Sequence, residues 1–245
     1  MLPRDEYVLT TKVGMPMGNK PNMGGLSRKH IIEGLDRSLE RLGLDYVDQL
    51  IIHRHTHVLP GHIAVPIEET LEALNDLLKA GKVMYLGGSS MFAWQFAELQ
   101  MTAERHGWAK FISMQNHYNL IYREEEREMN PYCEMTGVGV TPWSPLARGI
   151  LAGAYQGGLY RGDNDFLIAA RLVEIACKYG KTPAQIAIAW LMSKPAVSAP
   201  IVGVSKVSQL LGLIAATDIV LEGGDIAYLE ELYRPLENLL SLGMS

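Results

Sequence analysis

Four of the seven histidines lie within ten positions, in the stretch LIIHRHTHVLPGH at residues 50–62. Imidazole groups serve as general acids, general bases and metal ligands, so this density raises the question of a catalytic or metal-binding site. The apolar run before His53 is typical of a buried strand, and the end of such a strand is a place where an active site can form. We expect His55, His57 and His62 to lie in a solvated loop. Zinc binding is not expected, because no carboxylate or cysteine stands in a known ligand arrangement.

Polar residues stand at the ends of six predicted strands. Short apolar runs predict these strands at Tyr7–Val13, Val47–His53, Val83–Ser89, Ile112–His117, Val138–Trp143 and Pro200–Val204. The polar groups at their C-terminal ends are Lys12, His53, Ser89, Gln115 with Asn116, Trp143 with Ser144, and the segment 203–206. In a (β/α)8 barrel the carboxyl ends of all strands meet on one face, where these residues would form one active site.

The segments between the strands have the period of amphipathic helices. Apolar residues recur on one helical face at Ile31, Leu35, Leu39 and Leu42, at Leu71, Leu74 and Leu78, and at Leu172, Ile175 and Tyr179. Gly81 and Gly180 are placed to end helices, and Thr182–Gln185 (TPAQ) predicts a helix start with a capping box. Strands and helices alternating in this way imply parallel βαβ units, and no linker interrupts them. We therefore expect one domain over residues 1–245.

A (β/α)8 barrel and a doubly wound sheet both fit this alternation. No G-x-G-x-x-G sequence follows any predicted strand, which disfavours a Rossmann dinucleotide site. The polar residues at six strand ends favour the barrel.

Composition narrows the classes of function. The 245 residues are 48% hydrophobic and 20% charged, with a formal net charge of −5, so the chain offers no basic surface for nucleic acid. Cys133 and Cys177 are too few for a disulfide framework and match no zinc pattern. The N-terminal stretch lacks the apolar core of a signal peptide, and no segment has about 18 uninterrupted apolar residues. We expect a cytoplasmic protein without nucleic-acid or membrane partners.

Seven motifs follow one another along nearly the whole chain. They read LTTKVG, GLSRKHIIEGLDRSLERLGLDYVD, LIIHR, PIEETLEALNDLLKAGKVMYLGGSSMFAWQF, SMQNHYN, PWSPLARGILAG and PIVGVSKVSQL. In this order they resemble the signatures of the aldo-keto reductases, most closely the fungal group of aryl-alcohol dehydrogenase and versiconal hemiacetal acetate reductase. The resemblance implies an α/β protein with a (β/α)8 TIM barrel that binds NADP(H) and reduces an aldehyde or ketone to the alcohol.

The resemblance also implies a catalytic tetrad. Its Tyr is the general acid, its Lys lowers the pKa of that Tyr, its Asp pairs with the Lys, and its His positions the carbonyl. Lys12, at the end of YVLTTK, matches the lysine, and His53, at the end of VDQLIIH, matches the histidine. Without the resemblance, Lys12 would be interpreted as a strand-end lysine that reaches solvent.

Half of this tetrad is missing from the sequence. The Asp and Tyr normally follow the second barrel strand in a segment like D-T-A-x-x-Y-G, which does not occur here. The chain opens on what resembles the third strand, and six strands are assigned where the barrel needs eight. We therefore predict that the first two strands are absent from this chain, which is either incomplete or an unusual truncation. The 245 residues alone are expected to be inactive.

A cofactor site is implied by three further groups of residues. These are Ser89, Ser90 and Gln115 for the carboxamide; Trp143, Ser144, Pro145, Leu146, Ala147 and Arg148 for the nicotinamide and pyrophosphate; and Gly203, Ser205, Lys206 and Gln209 for the adenosine phosphate. The last group would begin a helix, where free N–H groups attract anions, and Lys206 would favour NADPH through its 2′-phosphate. Taken alone, Trp143 fits a core position equally well, and SKVSQ fits an ordinary helix start.

Three positions depart from the family pattern. Ser90 replaces the Asn that is common in other branches, which weakens its assignment. Gly212 and Leu213 stand where many relatives carry Glu and Asn around the adenine, so we expect a looser hold on that ring.

Two function classes remain open from the sequence. The first is an NADPH-dependent reductase of a small carbonyl compound. The second is a nucleotide-binding module with little or no turnover, similar to the potassium-channel beta subunits, which share the W-S-P-L-A segment and the G-x-S-x-x-x-Q pattern. Retention of His53 favours the enzyme.

Overall fold

The chain forms two compact units in a computed structural model that describes residues 3–56, 64–153 and 163–235. Unit 1 comprises Met1–Gln115 and Met135–Gly139, and unit 2 comprises Asn116–Glu134 and Val140–Ser245. The single domain over residues 1–245 stays a prediction.

Unit 1 alternates strands with helices. Its elements are β1 (Thr10–Val13), α1 (Arg28–Leu42), β2 (Val47–Ile52), α2 (Ile67–Lys79), β3 (Val83–Ser89), α3 (Ala93–His106) and β4 (Phe111–Gln115). Each strand pairs in parallel with the next one along the chain, which confirms the predicted βαβ order. Strand β2 is the best buried, since Leu50, Ile51 and Ile52 are each at most 1% exposed. This burial on both faces is typical of a parallel strand covered by helices.

Two short elements span the sequence boundary between the units. These are α4 (Met129–Thr136) and β5 (Gly139–Val140), and the strand order in the sheet is β1-β2-β3-β4-β5. Unit 2 continues with α5 (Asp163–Tyr179), α6 (Pro183–Met192), α7 (Val207–Ile214) and α8 (Gly223–Glu230), and with 3-10 turns at Glu124–Glu126, Ala147–Ala152 and Ala215–Asp218. Among the described residues, no helix combines the length and the apolar composition needed to cross a bilayer.

The helix signals in the sequence are largely confirmed. Helix α1 begins after Ser27, whose hydroxyl accepts from the His30 amide, and ends at Gly43 in the left-handed conformation. Helix α6 has the predicted capping box, with Thr182 and Gln185 bonding each other's backbone amide. Of the predicted apolar faces, Ile31, Leu35, Leu39, Leu71, Leu74, Leu172 and Ile175 are buried.

The sixth predicted strand, Pro200–Val204, is wrong. Residues 201–204 form no ladder and lead into α7. Residues 198–201 run beside residues 140–142 through single contacts. The Ser198 amide donates to the Val140 carbonyl at 2.8 Å, and the Ile201 amide donates to the Pro142 carbonyl at 2.8 Å. Pro200 lies between these contacts and has no N–H to donate, so regular pairing stops there.

Candidate functional site

The strand register of unit 1 places four predicted site residues on one face of the sheet. Lys12 pairs with Ile51, and Ser89 pairs with Gln115. His53 follows β2 two residues after Ile51, and its amide continues the ladder by donating to the Val13 carbonyl at 2.8 Å. Because side chains two residues apart in a strand point to the same side, this face carries Lys12, His53, Ser89 and Gln115 near the carboxyl ends of the strands.

Gly87 allows the strands to approach closely beneath these residues. It pairs with Ile51 on one side and Ser113 on the other. A Cβ atom at this position would lie 2.6 Å from Ser113 Oγ and 2.8 Å from Ile51 Cγ1. A glycine is therefore required where the site-bearing face is packed most tightly.

Lys12 and His53 line one pocket of about 390 Å³ in unit 1. Burial lowers the pKa of His53, and the charges of Lys12 and Arg54 lower it further. The Lys12 side chain is exposed, yet partial desolvation lowers the pKa of its ammonium as well. Within the described residues, no carboxylate forms an ion pair with Lys12. The charge of Lys12 therefore acts on the His53 imidazole. The same positive charge would stabilise the ionised form of an acidic side chain placed beside it.

The two residues after His53 add features that the sequence analysis did not predict. Arg54 is half-buried, and desolvation lowers the pKa of its guanidinium. Its position directly after the strand-end histidine is the sequence signal that indicates this residue. His55 was expected in a solvated loop, and this is wrong: it is 1% exposed, with its ring centroid 6.4 Å from that of Trp94. His57 and His62 lie outside the described residues.

Ser89, Ser90 and Gln115 form a polar cluster after β3 and β4. The two serine hydroxyl oxygens are 3.3 Å apart, and the Ser90 amide donates to the Gln115 carbonyl at 3.1 Å. Ser90 has a φ of 45°, in the left-handed region that Asn enters more readily than most residues. The buried Gln115 side chain and the hydroxyl groups supply donors and acceptors of the kind a carboxamide requires.

In unit 2, Trp143 begins a strained loop. Ser144, Ala147 and Arg148 all have positive φ values, of 55°, 47° and 56°. The Ser144 carbonyl accepts from the Asn119 side-chain amide at 2.9 Å. Together with His117, these residues line a pocket of about 310 Å³. Trp143 is half-buried and lines this pocket, so it is not an ordinary core residue.

The predicted adenosine-phosphate residues lie at the start of α7. The Gln209 side-chain oxygen accepts from the Ser205 amide at 3.0 Å, the Ser205 hydroxyl at 3.2 Å and the Lys206 amide at 3.1 Å. The segment is therefore a capped helix start, as SKVSQ alone predicted. Lys206 is exposed, and a Cβ at Gly203 would have no atom within 4 Å, so the surface around it is open.

A small hydrophobic cluster in unit 2 contacts both the loop after Trp143 and the segment before α7. Leu213 packs with Ile188 and Ala216, and both Leu146 and Val202 pack against them. The Trp143 loop and the segment before α7 thus share a hydrophobic support. Leu213 points into this core and is 9% exposed, so it presents no polar group at the surface.

The parallel α/β order and the strand-end residues agree with a comparison of the whole sequence. The model of the Aldo/keto reductase family matches residues 1–234, so this chain belongs to the aldo/keto reductase family, whose fold is of the TIM-barrel type. The predicted resemblance is confirmed.

The similar proteins are fungal. The chain is 48% identical to a Schizosaccharomyces pombe protein described as an aryl-alcohol dehydrogenase, over 88% of this chain and 63% of that protein. It is 48% identical to an aldo-keto reductase of Metarhizium robertsii, over 87% of this chain and 60% of the relative. It is 44% identical to versiconal hemiacetal acetate reductase of Aspergillus parasiticus, over 89% of this chain and 66% of the relative. The matched region is thus about three fifths to two thirds of the length of these relatives.

Nicotinamide nucleotides are the general cofactors of this family. The residues present fit such a group. Unit 1 has a polar cluster suited to an amide, and the unit 2 pocket combines the Trp143 ring with the Arg148 guanidinium. The N-terminal end of α7 is exposed beside Lys206, and the dipole of the helix favours a phosphate there.

Proposed function

We propose that this protein uses NADPH to reduce an aldehyde or ketone to the alcohol. The observation that carries the proposal is that Lys12 and His53 line one pocket at the ends of neighbouring parallel strands, in a chain of the aldo/keto reductase family. The name of the S. pombe relative makes aromatic aldehydes the first substrates to test. Cys133 and Cys177 are free, in keeping with a reducing cytoplasmic location, which is part of the proposal.

His53 acts in this proposal as a neutral donor to the substrate carbonyl. Burial and two neighbouring positive charges lower its pKa, so the neutral form is favoured at neutral pH. Lys12 supplies the positive charge that lowers the pKa of a tyrosine general acid, which is about 10 when unperturbed. Bound NADPH supplies the hydride.

The tyrosine, its aspartate partner and the first two barrel strands are proposed to lie outside these 245 residues. Within the described part of the chain, β1 pairs with β2 alone, so its other edge can accept a strand. The relatives named above are also longer than the matched region.

NADPH rather than NADH is proposed because of Lys206. Its exposed ammonium stands directly before the first turn of α7, where the helix dipole also favours an anion. The polar cluster of Ser89, Ser90 and Gln115 is proposed to hold the carboxamide. The segment from Trp143 to Arg148, together with Gly203, Ser205 and Gln209, is proposed to contact the rest of the nucleotide.

The test is a reductase assay with the intact protein. Reduced nicotinamide is followed by absorbance after an aromatic or an aliphatic aldehyde is added, and the alcohol is identified by mass spectrometry. Oxidation of NADPH with an equal amount of alcohol formed is the expected result. Nucleotide binding without oxidation by any aldehyde would favour the non-catalytic binding module instead.

A further inference from the structure

His117 is a histidine that the predicted roles leave unused. It lies two residues after the end of β4 and forms a parallel bridge with Trp143. Its ring is stacked between two aromatic rings, with centroid distances of 4.1 Å to Tyr122 and 4.2 Å to Trp143 and interplanar angles of 18° and 11°. A tight turn makes this arrangement, since Asn119 and Tyr122 exchange both backbone hydrogen bonds. The imidazole therefore supports the Trp143 indole from one side.

Asn119 connects His117 to the strained loop. Its Oδ1 accepts from the Ile121 amide at 3.1 Å, which fixes the orientation of the side-chain amide. Its Nδ2 donates to the Ser144 carbonyl at 2.9 Å and lies 3.2 Å from His117 Nε2. Because Nδ2 can only donate, His117 Nε2 must accept. The imidazole is then neutral, with its proton on Nδ1.

The loop from Ser144 to Arg148 has a strained backbone that neighbouring residues must stabilise. Ser144, Ala147 and Arg148 all have positive φ values, which L residues adopt only when their surroundings hold them there. Asn119 fixes the first of these residues through its carbonyl. A side chain that orients Asn119 therefore contributes to the shape of the whole loop.

We infer that His117 is a positioning residue for nucleotide binding. Its neutral ring holds Trp143 by stacking, and its Nε2 orients Asn119, which holds the strained loop at Ser144. The inference rests on the proposed function, in which Trp143 and this loop contact NADP(H). Tyr122 is stacked on the His117 ring, and Arg148 lines the same pocket.

The first test reads the tautomer directly. In the ¹⁵N-labelled intact protein, long-range proton–nitrogen correlations assign the protonated ring nitrogen of His117 at neutral pH, with the His117→Phe spectrum identifying its signals. A neutral ring with the proton on Nδ1 is expected. A proton on Nε2, or an imidazolium at neutral pH, would overturn the inference, because Asn119 could not then donate to this ring.

The second test measures NADPH affinity by titration of the nucleotide's fluorescence. His117→Phe keeps a stacking ring and loses the acceptor, so affinity should fall about fivefold, the value of one hydrogen bond. His117→Leu loses both the stacking and the acceptor, so its affinity for NADPH should fall about 20-fold or more. The matched control is His106→Leu, since His106 is an exposed histidine stacked on Trp108 at 4.3 Å in unit 1. This control should bind as wild type does.

The outcomes separate the two proposals. If wild type binds NADPH and His117→Leu binds it equally well while remaining folded by circular dichroism, the positioning role is wrong. If His117→Phe loses as much affinity as His117→Leu, stacking contributes nothing and that half of the inference fails. If folded wild type binds neither NADPH nor NADH, the proposed function fails, and the tautomer measurement still decides the His117–Asn119 contact.

Discussion

Replacement of Gly87 by alanine would disturb the packing that holds the site-bearing face of unit 1. The added methyl group would lie 2.6 Å from Ser113 Oγ, 2.8 Å from Ile51 Cγ1 and 3.3 Å from Gln49 Cδ. Ile51 and Ser113 are buried in neighbouring strands, so they cannot swing away. Overpacking of this kind costs about 1–3 kcal/mol. Displacing Ser113 also weakens its 2.8 Å hydrogen bond from the Gln49 amide, worth about 1 kcal/mol. We expect the free energy of unfolding to fall by about 2–4 kcal/mol.

Urea unfolding of the intact protein, followed by circular dichroism, measures this change. Two other glycines serve as controls. At Gly88 the nearest atom to an added Cβ is the terminal methyl carbon of Met114 at 3.0 Å. An unbranched methionine side chain adjusts more easily than Ile51 or Ser113, so Gly88→Ala should cost about 1 kcal/mol. At Gly212, in α7, nothing lies within 4 Å, and alanine should stabilise the helix by about 0.5–1 kcal/mol. The packing argument is refuted if Gly87→Ala costs no more than Gly88→Ala.

Three further changes have defined expectations. Arg123 donates to Glu126 at 2.7 Å and to Glu230 at 3.3 Å in a partly buried site. Arg123→Met should therefore lower the free energy of unfolding, measured by urea unfolding, by about 2–3 kcal/mol. A loss under about 0.5 kcal/mol would contradict this expectation. Burial raises the pKa of Glu125 to about 7, above its ordinary value of 4.5, so the folded state retains a proton that the unfolded chain releases. Stability should therefore fall as pH rises from 4.5 to 7, and Glu125→Gln should remove this slope in pH-dependent unfolding; an unchanged slope would contradict the assignment. In nucleotide titrations, Lys206→Ala should lower the affinity for NADPH on the order of tenfold and leave the affinity for NADH nearly unchanged. Equal losses of affinity for both nucleotides would show that Lys206 does not contact the 2′-phosphate.

The unit 1 part of the site was predictable because its signals are local. The apolar run of β2 identified a buried strand, and His53 stands at its end. Lys12 lies one strand away, and the parallel register places both side chains on the same face. Alternation of strands and helices was enough to predict the parallel order, and the register itself is seen in the structure.

Other features depend on contacts between distant residues. His55 is buried near Trp94, which lies 39 positions further along the chain, and no local pattern indicates this contact. The stack of His117 on Trp143 requires the bridge that brings the two segments together. The error at Pro200–Val204 had a visible cause, since a proline cannot donate to a strand ladder.

The role of Lys12 in turnover is the central claim, and one comparison tests it most directly. NADPH-dependent reduction of an aromatic aldehyde is measured for the intact protein, which includes the proposed tyrosine, and for its Lys12→Met and Lys110→Met variants. Nucleotide binding is measured on the same samples. Lys110 is an exposed lysine whose ammonium lies 3.6 Å from Glu104, so its variant should behave as wild type does. Lys12→Met should lose about 10²–10⁴-fold in turnover, the range of a general acid that has lost its activating charge, and should still bind NADPH. Wild-type turnover by Lys12→Met would contradict the proposed mechanism.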